Sequence, residues 1–402
     1  MHMDLIDNPQ LQNILAFITQ NQQENPAQLL LSNKIPEDFP KQAIAEQIAS
    51  RQKAKAKLPD LYNNKSILFP PSISMEQCSS EATALFKASL IEGAYLTDLT
   101  GGFGIDTLYL SEHFDKTNYV EHNDQLCALA AYNFQILHKD NINVHHADAH
   151  TFLEGMAKGD CIYIDPARRD KNNQKVFGWE DCQPNLMALL PKLLSKAKTV
   201  LAKAAPMLDI SQAILQLNGF VKEVYIVEWK GEVRELLFNI SDQKFTDPAI
   251  MAIILDKSGA VQHRFEASME SEKKNATRIA QPKEYLYEPS PALMKSGFYT
   301  TLSTRYGLEK LHQNTQLFTA NELIPQFPGK TYHINSIIAP QKKLLQEQLQ
   351  SMHANLKCRN FPMDINVLKK KLGLKDGGSN YLFATTLADS SKRLLICKKV
   401  DE

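Results

Sequence analysis

The 402-residue chain has little that would tie it to a membrane, a metal or an oxidising compartment. No apolar run reaches the roughly 18 residues a membrane span needs. The start, Met1-His2-Met3-Asp4, lacks the basic residues and apolar stretch of a secretory leader. Six cysteines, Cys78, Cys127, Cys161, Cys182, Cys358 and Cys397, are scattered without a Cys-x-x-Cys pair. That spacing argues against a zinc ribbon or a disulfide framework and fits reduced thiols, so a cytoplasmic location is expected. Net charge is also missing: 45 Lys and Arg balance 45 Asp and Glu, so no global field points to a polyanion. Local basic clusters remain at Arg51/Lys53/Lys55/Lys57, Arg168/Arg169/Lys171, Lys273/Lys274/Arg278 and Lys369/Lys370/Lys371. Each alone reads most simply as a solvated face.

What is present is a pattern of alternating elements, in a chain long enough for two to four domains. Residues 1–75 read as a helical region, with Leu11, Ile14, Leu15 and Ile18 at helix spacing and Pro59 stopping a helix that ends in Arg51–Lys57. A helix is expected over Glu76–Glu92. Short β-rich runs follow at Tyr95–Leu99, Asn118–Glu121, Cys161–Ile164, Thr199–Ala202 and Glu223–Glu228, with Glu235–Ile240 as a closing edge strand. Helical stretches lie between them, near Ile105–Glu112, Cys127–Leu137, Pro184–Lys196 and Ser211–Leu217. Strands alternating with helices imply an α/β domain over 76–245, Rossmann-like and doubly wound, with a mainly parallel sheet. Beyond 245 the character changes to small α+β modules, over 246–325 and 326–402. They include a hairpin around Lys257-Ser258-Gly259, a cationic helix near Ile365–Leu372 and strands near Tyr381–Thr386 and Arg393–Lys398.

The chemistry concentrates where strands end. Leu96-Thr97-Asp98-Leu99-Thr100-Gly101-Gly102-Phe103-Gly104-Ile105-Asp106 is an apolar strand, an acid, a glycine turn and a helix start. Such a turn belongs at the carboxyl edge of an open α/β sheet, where ligands bind. The third glycine of a dinucleotide fingerprint and the Gly-Lys of a P-loop are both absent. Asp98 would repel a pyrophosphate and suits a ligand with a positive amino group. S-adenosyl-L-methionine carries one, plus a sulfonium. Glu121 closes the next strand and suits both hydroxyls of a ribose. Asp148, in Ala147-Asp148-Ala149, suits an adenine amino group. His145, His146, Asp148 and His150 invite a metal reading, but no other His or Cys group completes a ligand set, so no metal is expected. Finally, Ile162-Tyr163-Ile164-Asp165-Pro166-Ala167-Arg168-Arg169 delivers an acid, a proline and two arginines to the same edge.

Together these residues resemble the class I S-adenosylmethionine-dependent methyltransferases over about 170 residues. The resemblance implies cofactor contacts at Asp98, Thr100, Gly101, Gly102, Gly104, Asp106, Glu121 and Asp148. Asp165-Pro166-Ala167-Arg168 stands where amino-methylating members carry Asp/Asn/Ser-Pro-Pro-aromatic, and it departs at both later positions. Asp165 and Pro166 then take the catalytic place, and Phe177 and Trp179 are the candidates for stacking on a target base. Three further stretches resemble a bacterial group of methyltransferases with a THUMP-like C-terminal domain. They are Glu76-Gln77-Cys78-Ser79-Ser80-Glu81-Ala82-Thr83-Ala84, Lys203-Ala204-Ala205-Pro206-Met207-Leu208-Asp209-Ile210 and Arg359-Asn360-Phe361-Pro362. By that resemblance 246–325 is a ferredoxin-like module and 326–402 a THUMP-like one, and the partner is RNA, ribosomal or transfer. A likeness of the core to cap trimethylguanosine synthases points toward guanine N2.

The expected mechanism is in-line displacement on the sulfonium methyl, with Asp165 orienting the acceptor and Arg168, Arg169 and Trp179 holding substrate. Three competing readings stay open. Cys182 would activate a pyrimidine C5 as a nucleophile; the chain would be a non-catalytic RNA-binding or assembly factor; or it would be a nicotinamide-dependent oxidoreductase.

Overall fold

The computed structural model describes residues 3–168 and 178–400. The chain divides into two compact units. One is Met1–Trp229 with Arg234–Thr246 and Leu255–Val261; the other is Lys230–Val233 with Asp247–Ile254 and Gln262–Glu402.

After a short helix Met3–Ile6, the first unit continues with helices Leu11–Gln20, Pro26–Leu31 and, as the third of these longer ones, Lys41–Lys57. At the basic end of the third, Lys53 and Lys55 are exposed while Arg51 and Lys57 are taken up by the fold. Arg51 is 1% exposed, and its guanidinium donates to the carbonyls of Tyr62, Asn64, Lys65 and Ile67 while lying over the Phe69 ring. Lys57 Nζ donates to the carbonyls of Met75 and Glu76 at 2.8 and 2.9 Å. These two cations cap chain turns that have no ladder partners of their own. Buried amides fasten the next stretch: Gln47 and Asn133 exchange hydrogen bonds with the backbones of Phe69 and Leu68.

The single helix expected over Glu76–Glu92 is two, Ser72–Gln77 and Glu81–Ala88. Serines explain the break. The Ser80 hydroxyl accepts the Thr83 N–H at 3.2 Å, which starts a new helix rather than continuing the old one.

Strands of this unit are β1 Gly93–Asp98, β2 Phe114–Glu121, β3 Ile142–His146, β4 Gly159–Ile164, β5 Ala167–Arg168, β6 Cys182–Gln183, β7 Ala197–Ala204, β8 Val221–Trp229 and β9 Glu232–Ser241. Among the described residues β5 and β6 pair only with each other. The main sheet runs β8-β9-β7-β4-β1-β2-β3. β3, β2, β1, β4 and β7 are parallel, and β9 runs antiparallel to β7. The expected closing edge strand therefore sits inside the sheet, between β8 and β7. Its composition suits that interior place. Leu236, Leu237, Phe238 and Ile240 are all buried, which an alternating edge strand would not require.

β1 pairs with β2 on one side and β4 on the other, so the winding reverses there. That reversal opens a crevice at the carboxyl ends of the strands. Asn123 and Asp148 cap helices Asp124–Ile136 and Ala149–Gly155, bringing both helix starts to the same edge.

In the second unit β10 (Ala249–Leu255) and β11 (Val261–Ala267) flank the expected turn. A separate sheet follows, from β12 Tyr285–Pro289, β13 Glu309–His312, β14 Thr315–Ala320, β15 Gly329–Ile338, β16 Asn355–Arg359, β17 Asn380–Thr386 and β18 Lys392–Lys399. Its order is β13-β14-β12-β15-β18-β17-β16. Alternation along β17 and β18 sends Leu382, Leu394 and Ile396 into one apolar cluster and Phe383, Leu395 and Cys397 into another. The cationic helix Ile365–Leu372 packs Leu368 and Leu372 into the first of these. Glu288 is gripped by Lys357, by Arg359 at 2.9 Å and by the Tyr332 hydroxyl at 3.3 Å. Among the described residues no helix is long and apolar enough to cross a membrane.

Candidate functional site

The crevice of the first unit is a cleft of about 1160 Å³. Its near wall is the turn after β1. Gly101 N–H donates to the Val120 carbonyl at 2.9 Å and Gly104 N–H to the Gly101 carbonyl at 2.8 Å, which folds the turn back on itself. The glycines answer to aromatic rings behind the turn. A Cβ on Gly101 would sit 2.2 Å from the Tyr119 ring, and one on Gly104 (φ +85°) would sit 2.8 Å from Phe134. Tyr119 Oη also donates to the Gly102 carbonyl at 2.6 Å. Gly101, Gly102 and Gly104 thereby line the cleft with bare backbone.

Asp98 stands behind this wall instead of facing the cleft. It is 1% exposed. Its Oδ1 accepts the Thr100 N–H at 2.9 Å and its Oδ2 the Thr107 hydroxyl at 2.6 Å. Burial pushes its pKa up to about 7, and the nearby Asp106 and Asp165 add to the rise. In place of the expected direct ligand contact, the Asp98 side chain lies outside the cleft lining and its carboxylate holds the turn. Thr100, which does line the cleft, ties that turn to the next strand by accepting the Asp165 N–H on its hydroxyl at 2.7 Å.

Glu121 and Asp148 sit side by side on the neighbouring wall. Glu121 is buried, with Oε2 accepting the Gly102 N–H at 2.9 Å, Oε1 accepting the Asn123 N–H at 2.8 Å, and the His122 ring 2.9 Å away. Oε2, with the Gly102 N–H as its one donor, keeps a lone pair for a further one. Asp148 is exposed. Its Oδ1 accepts the N–H groups of His150 and Thr151, and the Ala147 N–H before it donates to the Glu121 carbonyl.

The far wall is charged in a way that local sequence does not announce. Asp165 Oδ2 lies 2.5 Å from Lys203 Nζ, supplied by the end of β7. Behind that pair, Asp106 accepts from Tyr163 at 2.7 Å and Ser79 at 2.8 Å and lies 3.2 Å from Lys87. Lys87, 0% exposed, also bridges Glu235 at 2.5 Å. Burial alone would raise the Asp106 carboxyl, yet Lys87 and Lys203 hold it below its ordinary value. For Glu235 burial wins over Lys87 and the pKa is raised. Burial opposes the charge on Lys203, but Asp165, Asp106 and Glu235 outweigh it and raise its pKa. Asp106, expected as a cofactor contact, lines the cleft but spends its carboxylate on this cluster. No motif marks Lys87 or Glu235 as functional, and Lys203 enters the sequence reading only as the first residue of a family stretch. Only long-range pairing reveals them, since Lys87 and Glu235 are 148 residues apart.

Pro166 is buried against the cleft. Trp179 also borders it, but is 1% exposed and packs edge-on to Phe238 with ring centroids 5.1 Å apart. A ring so enclosed has no face for a base, which corrects its expected stacking role. The backbone of Arg168 belongs to β5; its side chain, Arg169 and Phe177 lie outside the described residues. Cys182 lines the cleft half-buried. His145 pairs with Asn118 and His146 with the His122 carbonyl, and no metal-binding group of His, Cys, Asp or Glu forms among the described residues.

Known proteins share parts of this architecture. Residues 285–328 match a ferredoxin-like domain family and residues 329–399 a THUMP domain-like family. Over 98% of this chain and 99% of the other, it is 33% identical to a crystal structure from Porphyromonas gingivalis W83, assigned provisionally as a methyltransferase, with a TM-score of 0.86. The chain belongs to this family. It is the methyltransferase group with a THUMP-like C-terminal domain to which the motifs point. No curated protein sequence matches the chain. SMU.1697c of Streptococcus mutans, another provisional methyltransferase, solved with S-adenosylhomocysteine, is 14% identical over 40% of this chain and 96% of its own, with a TM-score of 0.31. TrmK of M. capricolum, also solved with S-adenosylhomocysteine, is 13% identical over 42% and 71%, with a TM-score of 0.33.

Proposed function

We propose that the chain transfers a methyl group from S-adenosylmethionine to a base nitrogen of RNA. The observation that carries this reading is one cleft, at the winding reversal, lined by Gly101–Gly104, Glu121, Asp148 and Asp165. The donor set fits the cofactor. Glu121 presents buried, oriented carboxylate oxygens to ribose hydroxyls, Asp148 faces the adenine end, and the glycine turn leaves room for the methionine portion. Bound there, the cofactor supplies a methyl group on a sulfonium, which leaves without acid catalysis. The protein's work is then alignment and exclusion of water. Asp165 holds the hydrogens of the acceptor nitrogen and takes its proton as the new N–C bond forms. The Pro166 ring fixes the backbone beside it. Among competing readings, a pyrophosphate-bearing nicotinamide cofactor is disfavoured by the acids behind and beside the turn.

The RNA partner rests on charge distribution as well as on family. Residues 329–399 hold 13 Lys and Arg against 4 Asp and Glu, a net of +9, leaving 32 against 41 elsewhere. The chain's formal neutrality thus hides one strongly basic module, and a polyanion responds to the field of a module rather than the molecular sum. Mass spectrometry of RNA nucleosides from a strain lacking the gene tests the reading. One methylated nucleoside should vanish and return when purified protein and S-adenosylmethionine are added. An unchanged nucleoside profile, with methyl incorporation into protein instead, would overturn the RNA assignment.

A further inference from the structure

The segment Lys203–Leu208 lines one end of the cleft. Strands β4 and β7 are neighbours in register, Ile164 opposite Ala202, so Asp165 and Lys203 emerge side by side. Lys203 takes Oδ2 of Asp165, while Oδ1 accepts no hydrogen bond from a described residue. Immediately after, Leu208 N–H donates to the Ala205 carbonyl at 3.1 Å, closing a four-residue turn with Pro206 in its second position. Proline there presets the turn. The third position is Met207, which is 69% exposed and lines the cleft. A rigid turn that holds a large apolar side chain out of the core, at the mouth of a polar cleft, needs a reason.

We propose that this turn is the acceptor-recognition element: Met207 is the apolar face on which an unpaired nucleobase lies, and Lys203 positions Asp165 for it. The inference rests on the methyl-transfer reading and deepens it. Two features favour a nucleobase over an amine side chain. Lys203 already neutralises Asp165, so the pair suits an uncharged N–H donor and poorly suits an ammonium group. The cleft's own aromatic stacking surface is closed off, since Trp179 is enclosed. A methionine thioether, soft and polarisable, can cover a planar ring in its place. Lys203 is a positioning residue. It touches Asp165 rather than the reacting atoms.

The test uses the full chain with 13C-labelled methionine methyls, saturated with S-adenosylhomocysteine and titrated with AMP or GMP at millimolar concentration. The Met207 methyl signal, identified by its loss in Met207→Leu, should move upfield under the ring current of one of the two nucleotides. No movement with either nucleotide, or movement with a lysine peptide instead, overturns the proposal. Failure to bind S-adenosylhomocysteine would strike the cofactor reading alone, because the nucleotide arm still decides Met207. In turnover on RNA from the deletion strain, Met207→Ala should raise KM about tenfold, the worth of one stacked base, with cofactor affinity unchanged. Met207→Phe should restore it. Lys203→Gln should lower kcat and move the pH profile while leaving KM for cofactor unchanged, and Lys203→Arg should recover most of the loss. Equal kinetics in all four variants would also overturn the proposal.

Discussion

The two walls of the cleft are built by opposite means. On the glycine-turn side, many hydrogen bonds stay within a few residues, as Asp98 to Thr100, Asp148 to His150 and Asn123 to Leu126 do, and the turn meets the next strand where Gly102 reaches Glu121 across 19. On the acceptor side, Lys87 reaches Glu235 and Lys203 reaches Ser79 across 148 and 124 residues. The first wall is mostly backbone chemistry between a turn and its neighbouring strand. The second exists only when the whole unit is folded, and it holds several charges out of water. Binding of the cofactor and placement of the acceptor should therefore fail separately.

The largest effect should come from the acceptor wall. Lys87→Met strands Glu235 as a buried acid without its ion-pair partner and leaves Asp106 with Tyr163, Ser79 and Lys203 alone, at about 3–5 kcal/mol in urea unfolding. Lys87→Met combined with Glu235→Leu should cost clearly less than Lys87→Met alone. A double variant as damaged as the single would mean the cluster is not acting as a charge pair. Asp98 gives a smaller, pH-dependent contrast. Its folded pKa of about 7 exceeds the ordinary 3.8, so its contribution is fully present below the lower value and lost as pH rises through the higher. Asp98→Asn should therefore gain stability relative to wild type between about pH 4 and pH 8 in urea titrations, whereas a constant difference would mean the carboxyl is ionised throughout. Smallest is Asp148→Ala on the glycine-turn side. Losing that helix cap costs about 1 kcal/mol, measurable by thermal unfolding, and leaves the Lys87–Glu235 cluster untouched.

The same contrast decides what is legible in the sequence. Glu121, Asp148 and Asp165 can be read because each lies at or just past a strand end, and a strand end in a parallel sheet has a known destination. The glycine turn is legible in place but only partly in cause: Gly101 and Gly104 yield to Tyr119 and Phe134 behind the turn. Asp98 belongs at the turn as expected, yet its carboxylate is bound by Thr107, nine residues on, through a fold contact that spacing alone does not fix. Lys203 is visible only as part of a family stretch, since nothing local marks a lysine whose partner lies on another strand. β9 reads as an edge from its place at the end of the series; its buried apolar run suits an interior strand, but which strands it lies between is set by topology. In the second unit Ile365–Leu372 has the expected bounds, set by the Asp364 cap and Gly373 in the left-handed region.

Titration calorimetry of S-adenosylmethionine into the full-length protein tests the central claim most directly. One binding site is expected in the wild type, and Glu121→Ala should bind at least about tenfold more weakly, as loss of a charge-assisted hydrogen bond demands. Equal affinity of wild type and Glu121→Ala, or no binding by either, would contradict the account.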